Sequence, residues 1–162
     1  MDDLFAPPNG NWQPVSPRLA TLRRLLLIVP IAVLALVAVV VLALLVAWWI
    51  PVVVAVLAVG LGLWIWVWAG RNQRAWGYAE NADDLLVTSG VMFKRLVAIP
   101  YGRMQFVDVT AGPVARALGI ATVTLHTAST ETAADIPGLP ADEATRLRNR
   151  LTELGETHGA GL

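Results

Sequence analysis

No charged or amide side chain occurs between Leu25 and Gly70, and that stretch of 46 residues holds no serine or threonine either. At about 1.5 Å of rise per residue it makes roughly 69 Å of helix, against about 30 Å for the hydrocarbon core of one bilayer. Two crossings fit and one does not. The remaining 24 residues in front and 92 behind leave only the second part long enough to build a folded domain. The chain is 15% charged, below the roughly 25% usual for a soluble protein, and the apolar stretch accounts for the deficit.

Within that stretch Trp48-Trp49-Ile50-Pro51 is the punctuation nearest the middle, because proline lacks an N–H and disfavours helix at the residue before it. The expected helices run from about Leu25 to Trp49 and from about Val52 to Trp68. Tryptophan favours the headgroup level, so Trp48 and Trp49 mark one interface and Trp66 and Trp68 the other, with Trp64 deeper and packed. Arg18, Arg23 and Arg24 precede the first helix, Arg71 and Arg74 follow the second, and the connecting turn is uncharged. The positive-inside rule then puts both termini in the cytoplasm. Ala43 with Ala47, and Ala58 with Gly62, are small residues at helical spacing that let helices approach closely. Transport normally needs polar groups at membrane depth, and this hairpin has none, so it reads as an anchor.

Residues 1–24 carry a net +1 and residues 71–162 a net −1. Neither is the basic balance of a nucleic-acid binder. Cysteine is absent, which removes disulfides and thiolate metal sites. There is no Gly-x-Ser-x-Gly elbow, no phosphate loop ending in Gly-Lys-Ser/Thr and no His-Glu-x-x-His. With only His126 and His158 available, no metal site, cofactor or enzyme activity is expected.

From Trp76 the pattern changes to short β-branched runs bounded by turn residues, the mark of a small antiparallel β domain. Strands are expected at Gly77 to Glu80, Asp84 to Thr88, Val91 to Leu96, Met104 to Thr110, Ala121 to Thr127 and Thr132 to Ile136. Ser89-Gly90 is expected to form a two-residue hairpin turn. Alternation puts Val123 and Leu125 on the core face and leaves His126 on the other without an evident partner. A helix with Asp142 and Glu143 in its first turn carries the apolar stripe Ala144, Leu147, Leu151 and Leu154, and Gly155 caps it. Such a helix closes the open end of a sandwich or partly open barrel. Residues 1–17 and 156–162 read as disordered tails, around a hairpin over 18–70 and a domain over 71–155.

The domain resembles the YdbS-like bacterial pleckstrin-homology (PH) domain membrane proteins. The likeness is carried by Trp76-Gly77-Tyr78, Asp84-Leu85-Leu86-Val87, Ser89-Gly90-Val91, Ile99-Pro100-Tyr101-Gly102-Arg103-Met104-Gln105-Phe106-Val107-Asp108, Gly112-Pro113, Arg116, Leu118-Gly119 and Thr127-Ala128. The preceding two-helix anchor fits as well. The resemblance implies a two-helix transmembrane hairpin followed by a mainly β PH-like domain, two bent antiparallel sheets capped by a C-terminal helix. It brings no catalytic activity.

Candidate binding residues are Arg103 and Gln105 beside Pro100-Tyr101-Gly102, Arg116 between two glycine-containing turns, and the pair Lys94-Arg95. For each there is also a purely structural reading: hydrogen bonds to neighbouring loops, a pairing of Arg116 with Asp108, a solvated strand face for Lys94 and Arg95. The leading expectation is a protein-interaction module at the cytoplasmic face of a bacterial inner membrane. Its partner is another PH-domain membrane protein or a second copy, with membrane lipids around the anchor. The alternative is a module that binds anionic lipid headgroups. A third reading, a small transporter subunit, needs polar groups from a partner's helices.

Overall fold

The structure, a computed structural model, describes residues 12–46, 49–127 and 134–159. The chain divides into two compact units, one of Ala20–Arg71 and the other of residues up to Leu19 together with Asn72 onward.

The first unit is the helical hairpin. Helix α1 runs Arg18–Leu45 and α2 runs Trp49–Arg74, so each reaches into its flanking arginines, while α1 stops four residues short of the expected Trp49. Helix α1 continues through Pro30. The turn falls earlier than expected, because Pro51 sits in the first turn of α2, where its missing N–H has no intrahelical partner to lose. Both helices are long and apolar enough to cross a membrane. Between them lies an apolar groove of about 440 Å³ lined by Ile28, Ala32, Ala35, Ala55, Ala58 and Gly62 among others, so Ala58 and Gly62 border open space instead of a close helix contact, and Ala47 lies outside the described residues. Trp64 is 65% exposed rather than packed within the hairpin.

The second unit is a β domain of two antiparallel sheets. Strands β1 (Gln13–Pro14), β2 (Gly77–Glu80), β3 (Asp84–Ser89) and β4 (Arg95–Pro100) form one sheet in that order. Strands β5 (Met104–Thr110), β6 (Ile120–Thr127) and β7 (Ala134–Pro140) form the other. A 3₁₀ turn at Tyr101–Arg103 joins the sheets, helix α3 (Pro113–Ala117) joins β5 to β6, and α4 (Ala141–Gly159) follows β7. Residues 132 and 133 of the expected last strand lie outside the described residues, and that strand continues past Ile136 to Pro140.

Alternation places Leu85, Val123, Leu125 and Ile136 in the core with Ile99, Tyr101 and Leu139. Helix α4 covers them with Ala144, Leu147 and Leu151, all fully buried, while Leu154 is half-buried. Gly155 does not end this helix. It lies within α4, facing the Tyr101 carbonyl with ordinary contact distance even for an added Cβ at 3.8 Å, so the helix passes over that turn. Residues 156–159 are therefore helical and not a loose tail.

Two further expectations are corrected. Ser89-Gly90 is not a two-residue turn: Ser89 pairs with Arg95, so Gly90 to Lys94 form a five-residue loop. Gly90 does adopt positive φ, +98°, but Met92 and Phe93, which read as strand, are exposed at the tip.

The other correction concerns the segment before the hairpin. Gln13 and Pro14 pair with Tyr78 and Gly77, and Val15 is buried. The Gln73 amide donates to the Val15 carbonyl at 2.8 Å, and the Ser16 N–H donates to the Gly138 carbonyl at 3.0 Å. Residues 12–17 are thus the first strand and entry of the β domain, and the helical hairpin is inserted between its first two strands. Residues 1–11 lie outside the described residues.

Candidate functional site

Strand β5 is an outer strand of its sheet, so one of its edges carries no strand among the described residues. Pairing with β6 slips between Met104 and Phe106: Met104 faces Thr127, Phe106 faces His126, and Gln105 is the extra residue. A bulge of this kind bends a strand and re-aims a side chain, most often at a sheet edge. Opposite runs α4. Met104, Gln105, Phe106 and Val107 on β5 and Leu151, Thr152, Gly155 and Glu156 on α4 line a groove of about 200 Å³. Gly155 keeps its floor low, and Glu156 is the one ionisable side chain among these lining residues.

Phe106 is 57% exposed and stacks on the His126 imidazole, with centroids 4.1 Å apart and planes 14° from parallel. His126 therefore does have a partner, the residue directly across the strand pair, and contributes an aromatic shelf beside the groove. Register across two strands made this contact, and alternation within one strand carries no register.

Of the candidate binding residues, Gln105 lies in the groove and Arg103 is exposed at the entrance of β5, in the 3₁₀ turn. Arg116 is exposed on α3, past the other end of β5. Seven residues of strand separate them, roughly 20 Å at about 3.3 Å per residue, so Arg103 and Arg116 do not form one clamp. Lys94 closes the Gly90–Lys94 loop and Arg95 opens β4, both exposed and away from this groove. Among the membrane-interface candidates, Arg24 lies over the Trp66 ring, 4.0 Å from its centroid, and donates to the Trp66 carbonyl from Nη2 at 3.3 Å. Arg23 is half-buried, and Trp49, Trp68, Arg71 and Arg74 are exposed on α2. Trp48 lies outside the described residues.

The groove's wall is held by polar ties that sequence reasoning missed. Arg146 on α4 grips Glu143 from Nε at 3.0 Å and from Nη2 at 2.6 Å, and the same Nη2 reaches Glu80 at 2.6 Å. The Tyr78 hydroxyl stands 2.7 Å from Glu143 and 2.6 Å from the Gln13 side-chain oxygen. Tyr101 donates to the Asn81 carbonyl at 2.9 Å. The Arg146 and Tyr78 contacts fasten the start of α4 to β1 and β2, and the Tyr101 bond ties the 3₁₀ turn to the β2–β3 turn. The hydrogen bond from Arg146, with one from Tyr78, holds the Glu143 carboxyl below its usual range against a smaller opposing effect of burial.

Burial, reinforced by Glu80 and Asp84, pushes the Tyr101 hydroxyl up to about 12. Burial and the Glu143 carboxylate raise that of Tyr78 further. A hydroxyl whose folded value exceeds its unfolded value, about 10, adds stability that is whole below pH 10 and is lost as pH rises toward 12. Thermal melting is thus expected to fall steeply between pH 10 and 12, and Tyr101→Phe is expected to flatten that fall while lowering stability near pH 7 by about 1 kcal/mol. Equal alkaline slopes in the two proteins would contradict this.

A family model described as Bacterial PH domain matches residues 21–155. The chain is 33% identical over 81 residues to the UPF0699 transmembrane protein YdbS of Bacillus subtilis (strain 168), a match covering 50% of this chain and 50% of that protein. It thus spans about half the length of the curated relative it matches. No solved structure matches.

Proposed function

This chain belongs to the bacterial PH domain family, and from that premise we propose that it is a non-enzymatic assembly module, held at the cytoplasmic face of a bacterial inner membrane, that captures an extended segment of a protein partner along β5. It is a membrane protein with a bacterial PH-like domain. The observation that carries the proposal is the open β5 edge, bulged at Gln105 and backed by α4 across a groove. An added strand takes its affinity from main-chain hydrogen bonds to such an edge and its specificity from side-chain pockets beside it. Phe106 offers an apolar platform, and Gln105 and Arg103 offer donors to carbonyls or a carboxylate.

Support for the side of the membrane comes from connectivity. The residues before α1 and after α2 fold into one unit, so both ends of the hairpin belong on one face. The arginines flanking both helices favour the cytoplasm. Support for a non-enzymatic role is the placement of the perturbed groups: Tyr78, Glu143 and Arg146 tie α4 to the four-stranded sheet, Tyr101 bonds the Asn81 carbonyl, and none of the four lines the groove. The proposed partner is another PH-domain membrane protein or a second copy of this chain.

A photocrosslinking residue at position 105 in the full-length protein, in native membranes, tests this by mass spectrometry. A reproducible protein adduct is expected, with its yield cut at least about tenfold by Thr152→Arg, equivalent to about 1.4 kcal/mol. Thr152 is exposed and its hydroxyl donates to Arg148 one turn back, so the arginine fills the groove without entering the core. Arg103→Ala is expected to weaken the adduct and Arg116→Ala to leave it unchanged. Adducts to lipid alone, or a protein adduct indifferent to Thr152→Arg, would end the proposal.

A further inference from the structure

Register fixes which end of the four-stranded sheet faces the connections to the helices. Pro14, Gly77 and Thr88 lie level with one another across β1, β2 and β3. Strand β1 runs out through Pro14 toward α1, and β2 starts at Gly77, three residues after α2 ends at Arg74. Three residues span at most about 10 Å of extended chain. The Gly90–Lys94 loop leaves the sheet one residue past Thr88, at this same end. The turn at Asn81 to Asp83 is at the opposite end.

Met92 and Phe93, at the loop's tip, are each 87% exposed, more than any other large apolar side chain among the described residues. The loop is a set conformation, since a Cβ at Gly90 would overlap the Phe93 carbonyl. Lys94 and Arg95 follow the tip directly and are exposed. At the same end, half-buried Trp12 and Trp76 border a hollow with Arg74, side chains that favour the headgroup level.

We infer that this loop is an interfacial foot. Met92 and Phe93 enter the headgroup–acyl boundary of the bilayer that α1 and α2 cross, and Lys94 and Arg95 meet lipid phosphates. An apolar tip followed at once by cations matches the depth profile of a bilayer surface. Two side chains offer far less than the roughly 800 Å² per partner of a stable protein interface. The short tether supplies the missing affinity, because a second contact on the same bilayer is intramolecular. This inference does not depend on the β5 groove.

The chain has no cysteine, so Met92→Cys and Ala82→Cys each accept one environment-sensitive fluorophore in the full-length protein. Both are reconstituted in vesicles of phosphatidylethanolamine and phosphatidylglycerol containing lipids with a nitroxide near the headgroup. The label at 92 is expected to be quenched at least about twofold more than the label at 82. Adding Phe93→Asp is expected to bring it down to the level of position 82. That variant places a charge only on an exposed tip, and an unchanged melting curve confirms the fold. Equal quenching at 92 and 82 would overturn the inference. So would blue-shifted emission at 92 without lipid quenching, which would put a protein on the loop.

Discussion

A chain that starts at Arg71, the boundary the sequence invites, is expected to lose cooperative thermal melting. Removing residues 12–19 takes away Val15 and Leu19, both buried, each worth about 1.5–3 kcal/mol. It also strips partners from the Gln73 amide, the Gly138 carbonyl and the Tyr78 hydroxyl, at about 1 kcal/mol per lost hydrogen bond. The guanidinium of Arg18, which donates to the Leu118 carbonyl at 3.0 Å, goes too. The sum, about 7–10 kcal/mol, falls within the whole stability of a typical domain, about 5–15 kcal/mol. Joining residues 12–19 to residues 72–162 through a flexible Gly/Ser linker, with the membrane span left out, is expected to restore a sharp transition by circular dichroism. Equal melting of the two truncated chains would show that β1 is dispensable.

The second large effect is expected at Gly138. Its φ is +75°, and a Cβ there would lie 2.6 Å from the Leu19 Cβ. Gly138→Ala thus combines backbone strain of about 1–3 kcal/mol with overpacking of similar size, a total of about 2–6 kcal/mol by denaturant unfolding. Leu19→Ala does not rescue it, because alanine keeps the offending Cβ and gives up only the outer carbons, at 3.1 and 3.2 Å. Gly155→Ala provides the contrast. It is helical with ordinary space for a methyl group, and is expected to be neutral or stabilising by up to about 1 kcal/mol. Similar destabilisation at positions 138 and 155 would contradict the steric account.

What could be read in advance followed from signals that repeat along the chain. Forty-six residues without a polar side chain outside tryptophan specify two crossings whatever surrounds them. The alternation of Val123 and Leu125, and the stripe through Ala144, Leu147 and Leu151, identify core faces because each repeats at the period of its element. Strand β1 repeats nothing. It has two residues, one a proline without an N–H, and becomes a strand only because β2 offers an edge. Met92 and Phe93 misled for the opposite reason: apolar residues beside a strand look like its continuation, yet here the pairing resumes only at Arg95. In the candidate site, Arg103 and Gln105 were visible as polar residues at a strand entrance. The bulge, the Phe106–His126 stack and the α4 wall depend on register between strands and on packing between distant segments, which a linear pattern does not encode.

The insertion of the hairpin between β1 and β2 also sets the order of assembly. Gln13 and Pro14 leave the ribosome well before Gly77 and Tyr78, the residues they pair with, so the oldest strand waits through both insertion events for its neighbour. Closure of the sheet is a late step of high sequence separation. A chain that inserted only one helix would strand β1 across the bilayer from the rest of its sheet, leaving the edge of β2 and the hydroxyl of Tyr78 uncovered. Completion of the sheet therefore requires both ends of the hairpin on one face: β1 can meet β2 only in a chain that has crossed and returned.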